Sequence, residues 1–331
     1  MVFAVFRMKS MSSKLPRLVL HFDVNGTVII TDPAGGLSFE DAIEKALDQV
    51  DWTNSSTYPP TLKISKTAVT KTQLADALKW PHGDPIVPEL CMDGNHHFMF
   101  PSFYKAITEL ACAKREFTIV FRTFGSDIKK VQTAINSYAA GNHPHFKYTD
   151  SKELHLPNNR IWVGRYGNGM YPPEGNIQIP SDKTSETSYT MTNLDDKTKV
   201  LSCDDDIIEA IEIRGQDRAT VACTDHYEWW RANRYKPSSG KPLWLSDDDL
   251  TTHHIFFDDC IHNSATDSIV SVRRRETTNE PFSMMTGRDI VLLHGIHTVR
   301  VQTTEAILNS NYFLDKIQEC ELARDHQMRN E

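Results

Sequence analysis

Three apolar runs in this chain stop on residues that could do chemistry. "LVLHF" ends at Asp23, followed closely by Asn25, Gly26 and Thr27. "FTIVF" ends at Arg122 and Thr123, and "HHIFF" ends at Asp258 and Asp259. A buried strand gains nothing from a carboxylate at its tip, whereas a site that handles phosphate does. In an open parallel sheet, ligands bind beyond the carboxyl ends of the strands, where the connections reverse direction. With these three strands as neighbours, one pocket gathers carboxylates, a hydroxyl and a guanidinium. Carboxylates held that close repel one another and call for a cation. Mg²⁺ suits the set, as a hard ion that prefers oxygen ligands.

The elements that must position these residues are legible in part. Residues 17 to 22 read as a buried strand. Ser38 precedes "FEDAIEKALDQV", with Asp41 three residues on as an acidic capping box. "DWTNSSTYPP" reads as a loop and "TKTQLADALKW" as a helix stopped by Pro81. Pro101 opens a helix in its first turn, "FTIVF" is a strand, and Ser126 is placed to cap a helix that Gly141 ends. From 142 to 200 the pattern weakens. "RIWVG" and "NIQI" read as strands, and "SDKTSETSYTMTNLDDKTK" as a polar loop. "DDDIIEAIEI" and "DHYEWWRANR" read as helices, "ATVAC", "SIVSVR" and "HTVRV" as strands, and "KPSSGKP" as a turn. "TTEAILNSNYFLDKIQECELAR" reads as one final helix. The alternation predicts an α/β fold, a doubly wound parallel sheet. Residues 1–32 and 99–331 are expected to form its core, with an excursion at 142–200 expected to wall the site. A mainly helical insertion at 33–98 is expected to act as a cap.

The 331 residues are 39% hydrophobic and carry a net charge of −8, enough apolar content for a large core. That charge argues against a nucleic-acid partner, whose footprint is a basic patch. No stretch reaches the length of a membrane span. The opening "MVFAVFRMKSMSSKLPR" has no signal-peptide pattern and reads as a loose lead-in. Six scattered cysteines without a Cys-x-x-Cys pair point to free thiols in a reducing, cytoplasmic compartment. Oligomeric state is not written in the sequence.

The ordered set resembles the haloacid dehalogenase superfamily, chiefly phosphatases and phosphotransferases. Its first motif is matched in "DVNGT" by Asp23, Gly26 and Thr27, its second by Thr123, and its fourth by Asp258 and Asp259. The third, a Lys or Arg upstream of the fourth, is matched by Lys241 in "SSGKPLW", with Lys183 and Lys236 as competitors. The resemblance covers residues 17–30, 100–140 and 236–301. It implies that Asp23 attacks phosphorus to form an aspartyl-phosphate. Asp23, the Asn25 carbonyl, Asp258 and Asp259 would surround Mg²⁺. Thr27, Thr123, Lys241 and Arg122 would lie against phosphate oxygens. The substrate implied is a phosphorylated small molecule.

The chain departs from the family at Asn25, where the phosphatases usually carry an acid that protonates the leaving oxygen. An amide cannot do this, and general acid–base catalysis is typically worth ~10²–10⁴ in rate. Three expectations follow: a good leaving group, a proton supplied by another residue, or a module that binds phosphate or protein without turnover. Active family members without this acid also exist. Other motifs have plainer readings. "SGKP" lacks the earlier Gly of a P-loop, and "GNGMY" lacks the third Gly of a dinucleotide fingerprint. His96, His97, His143, His145, His253 and His254 lack zinc spacing and read as loop or core residues. Of Trp229 and Trp230 one ring reads as core, and for the other packing is a plainer reading than a place in a substrate pocket.

Overall fold

The computed structural model describes residues 15–31, 36–48, 51–52, 62–63, 69–147, 151–167, 188–261, 268–285 and 288–330. The lead-in at 1–14, the strand expected at "NIQI", most of "GNGMY" and Lys183 lie outside the described residues. The strands, in chain order, are β1 (Arg17–Asp23), β2 (Asp51–Trp52), β3 (Leu62–Lys63), β4 (Phe117–Thr123), β5 (Ile161–Tyr166), β6 (Tyr189–Asn193), β7 (Val200–Leu201), β8 (Arg218–Thr224), β9 (Lys241–Ser246), β10 (Thr252–Asp258), β11 (Val270–Arg275), β12 (Ser283–Met284) and β13 (Thr298–Arg300).

Eight of them form the central sheet, in the order β13-β10-β1-β4-β8-β5-β6-β7. From β13 to β5 every pairing is parallel, and β6 and β7 continue antiparallel to the edge. The fold is therefore α/β with a mostly parallel, Rossmann-like sheet. Every residue of β1, β4 and β10 is buried. Both faces are covered, which is why these strands read as near-continuous apolar runs.

Side chains alternate across the strands, and the two faces meet different layers. Leu18, Leu20, Phe22, Phe121, Ile255 and Phe257 join a core shared with the helices Pro101–Cys112, Ile128–Ala139 and Tyr312–Asn330. Phe22 stacks on Phe257 at 4.9 Å and meets Phe103 edge-on at 5.1 Å. The opposite face carries Val19, His21, Asp23, Arg122 and Phe256. It is covered by the helix Asp204–Glu212 and by a small sheet, β12-β11-β9. The helices Phe39–Leu47 and Lys71–Leu78 are seated on the main core. Their Ala42, Ile43, Ala46, Leu74 and Leu78 belong to the same apolar cluster as Phe22.

Local chemistry explains the boundaries. Ser38 and Asp41 form the expected capping box, and Thr70 with Gln73 forms a second that the sequence reading passed over. Asp127, not Ser126, occupies the N-cap of Ile128–Ala139, and its side chain makes no capping bond. Its carboxylate accepts from Asn25 instead, at 3.3 Å. The expected single final helix is two, Thr303–Leu308 and Tyr312–Asn330. Asn309 Oδ1 accepts from the Asn311 backbone at 2.9 Å, a local bond that competes with helix continuation.

The turn expected at "KPSSGKP" runs into the start of β9. Pro237–Ser239 does form a tight turn, but Lys241 then opens a strand that pairs with β11. Pro242 hides the strand from propensity, and an edge strand tolerates it. The polar run after 188 also folds, as β6, where Tyr189, Met191 and Asn193 turn inward alternately. No helix of the described residues is long and apolar enough to cross a membrane.

Candidate functional site

β1 lies at the switch point of the sheet, with β4 on one side and β10 on the other. In register, Asp23 faces Arg122, and Phe22 faces Phe257, one residue before Asp258. The ends of all three strands therefore meet. Lys241 comes to them from the small sheet. Its Nζ donates to Asp23 Oδ1 and, at 2.8 Å, to Asp258 Oδ2. The ammonium also lies 5.0 Å from the Phe124 ring centroid. Lys241 is 1% exposed, Asp23 7% and Asp258 0%, so this ion cluster is inside the protein rather than on its surface.

The electrostatics are unbalanced toward negative charge. Burial raises the Asp23 carboxyl well above its usual range, and Asp258 and Asp259 add to the rise against the pull of Lys241. Burial likewise raises Asp259, to about 6, with Asp258 contributing and Lys45 and Lys241 opposing. Burial disfavours the Lys241 charge, but Asp23 and Asp258 outweigh it and hold the ammonium above its ordinary value. One ammonium thus faces two buried carboxyl groups, with the half-buried Asp259 beside them, an arrangement that fits a further hard cation. Among the described residues, the group with ligand atoms close enough to hold a metal is Asp258, Asp259 and Cys260, all within 4.8 Å. Asp23 joins this group through Lys241.

The turn after β1 is held from several sides. Val28 and Ile29 both donate to the Val24 carbonyl, closing one helical turn. Gly26 has φ +76, and a Cβ there would come within 2.7 Å of Asp259 Oδ2. Thr27 Oγ1 accepts from the Asp259 backbone at 3.1 Å, tying the first loop to the loop after β10. Thr303 Oγ1 donates to the Gly26 carbonyl at 2.6 Å. Asn25 Nδ2 donates to the Thr31 carbonyl at 2.9 Å and to Asp127 Oδ2 at 3.3 Å. An acid at position 25 would set an acceptor against both acceptors. Thr123 Oγ1 accepts from the Gly125 backbone at 2.9 Å and lies 3.5 Å from Asn25 Oδ1.

Asp23, Asn25, Thr27, Thr123, Lys241, Asp258 and Asp259 are therefore gathered at one end of the sheet. Arg122 points elsewhere. Its guanidinium grips Asp225 with two bonds, of 2.9 and 2.6 Å, and donates to the Pro242 carbonyl at 2.9 Å. Burial works against its charge, and Asp225 more than restores it. Tyr189 donates to the same Asp225 at 2.7 Å. The sequence reading missed Asp225 although it follows β8 just as Asp259 follows β10. It also missed Asp127 and Cys260. His97 and His143 are packing elements, stacked at 5.6 Å beside Trp80 and Tyr104, whereas His96, His145 and His254 meet Asp93, Asp84 and Glu212. A cleft of about 370 Å³, lined in part by Asp249, Thr252 and Arg324, lies at the start of β10. It touches none of the gathered residues. Compared with protein-family models, curated proteins and solved structures, the chain matches none.

Proposed function

We propose that the chain is a phosphoryl-transfer enzyme, a Mg²⁺-assisted phosphatase of haloacid dehalogenase type with Asp23 as the phosphate acceptor. The observation that carries this reading is Lys241. A buried ammonium that joins Asp23 to Asp258, 218 and 17 residues away in sequence, is costly to build. A plain structural core gains little from it, because buried ion pairs seldom out-stabilise apolar packing.

In this reading Asp23 supplies the attacking oxygen, and Thr123 and the Lys241 ammonium hold phosphate oxygens during transfer. Asp23, the Asn25 carbonyl, Asp258 and Asp259 would hold Mg²⁺, which when bound neutralises phosphate charge. Thr27 and Gly26 keep the acceptor loop in register with the loop of Asp259. Arg122 acts at one remove, by fixing Asp225 and the Pro242 carbonyl beside Lys241. The core is the doubly wound sheet. The insertion at 33–98 serves as the cap, and its Lys45 already bears on Asp259 electrostatically.

The pinned amide of Asn25 favours a second reading, a phosphate-binding module without turnover. One experiment separates the two. Hydrolysis of acetyl phosphate with Mg²⁺, lost in Asp23→Asn, supports the enzyme. Phosphate binding by the wild-type chain with no hydrolysis supports the module.

A further inference from the structure

An aromatic wall begins inside the site and runs outward. Phe124 directly follows Thr123, and the Lys241 ammonium lies against its ring. Phe124 stacks on Trp230 at 5.1 Å with the planes 19° apart. Trp230 meets Tyr235 edge-on at 4.9 Å, and Tyr227 meets Phe124 at 5.7 Å. Phe124 and Trp230 are only partly buried, and Tyr227 and Tyr235 are 38% and 46% exposed. Arg234 and Tyr235 have φ of 57° and 61°. Two successive non-glycine residues in the left-handed region are a strained arrangement. The chain accepts that strain where it sets Tyr235 against Trp230. Rings packed only for stability would be covered; these extend from a buried ammonium to solvent.

Asn25 supplies an independent constraint. It has no proton to give a departing oxygen, and its amide is engaged with Thr31 and Asp127. A leaving group that departs unaided suits such a site. A phenol, with a pKa of about 10, leaves far more readily than an aliphatic alcohol, which is a much weaker acid.

Resting on the phosphoryl-transfer reading, we infer that the site takes the phosphate monoester of a phenol. Its phosphate lies at Asp23, Thr123 and Lys241, and its ring lies against Phe124, Trp230 and Tyr235. An Asp23 oxygen bonds to phosphorus as the phosphorus–aryl oxygen bond breaks. The electron pair leaves on the phenoxide, which takes a proton from solvent. Water then attacks phosphorus and the aspartyl bond breaks. Asp23 is regenerated, phosphate is released, and the surplus proton passes to solvent.

The test uses the full chain with Mg²⁺ and three substrates: phenyl phosphate, acetyl phosphate and 2-phenylethyl phosphate. The KM for phenyl phosphate should be about 10-fold below that for acetyl phosphate, a gap of the size stacking supplies. Trp230→Leu should raise the phenyl phosphate KM about 10-fold more than the acetyl phosphate KM. 2-Phenylethyl phosphate should inhibit competitively yet turn over at least about 100-fold more slowly, for want of a proton donor. Tyr235→Ala, at an exposed position, should act in the same direction as Trp230→Leu. Acetyl phosphate turnover reports that each variant is folded. Equal KM values for the two good leaving groups, or equal effects of Trp230→Leu on both, would overturn the inference and leave phosphoryl transfer standing. No turnover of any substrate, with no beryllium fluoride bound at Asp23, would overturn both.

Discussion

At the scale of single residues, the account turns on the ion cluster of Asp23, Lys241 and Asp258. Lys241→Met keeps the apolar stem and removes the charge. Two carboxylates then stay buried without a cation. The expected cost is ~3–5 kcal/mol, the usual penalty for breaking a buried pair from one side, read as a lower urea midpoint with an unchanged slope. An unchanged midpoint would mean that the ammonium is not committed to the pair. The positions of Asp23, Thr123 and Asp258 were legible because each follows an apolar run, and strand ends are where a parallel sheet offers groups to a ligand. Lys241 was legible only by its place before the fourth motif. Its burial was not, because a Gly-Lys-Pro sequence looks like a surface turn. Arg122 has the right position for phosphate but the wrong direction, and only the neighbouring strand could reveal that.

At the scale of elements, the strand that follows β4 in the sheet decides what Arg122 does. β8 brings Asp225 beside it, and the two form a buried pair with each side chain 1% exposed. Asp225→Ala leaves the guanidinium unpaired and is expected to destabilise the fold by ~3–5 kcal/mol. Asp225→Asn, which keeps one acceptor, should cost less. Denaturant titration of the two variants checks the order, and equal losses would contradict it. Strands with unbroken apolar runs were legible, since burial on both faces leaves little room for polar residues. β9 was not, because Pro242 masks it, and neither was β6, because its short alternation sits inside a run of Ser, Thr, Asn, Asp and Lys that reads as a polar loop. Strand order is set by long-range pairing that no local pattern encodes. The break between the last two helices is marked by Asn309, whose side chain accepts from the backbone of Asn311.

At the scale of the whole molecule, acid stability follows from the histidines. Burial depresses His97, His226, His294 and His297 to about 4, His143 to about 3 and His253 to about 2, and holds His21 well below its ordinary value. The native state holds these rings neutral, while the unfolded chain protonates them near 6.5. Between those values the unfolded state binds more protons, so stability falls as pH drops from about 6.5 towards 4 and the loss tapers below. Urea midpoints measured across that window should decline steeply, and His143→Phe should flatten part of the decline. A flat profile would contradict the neutral, packed rings. The α/β class was legible from the alternation of elements, whereas the site depends on three strand ends and a second sheet converging. Their convergence is tested most directly by a crystal structure of the full chain grown with Mg²⁺ and beryllium fluoride. The account predicts beryllium bonded to an Asp23 carboxylate oxygen, with Thr123 and Lys241 against the fluorides. An adduct on Asp258 or Asp259, or none at saturating fluoride, would contradict it.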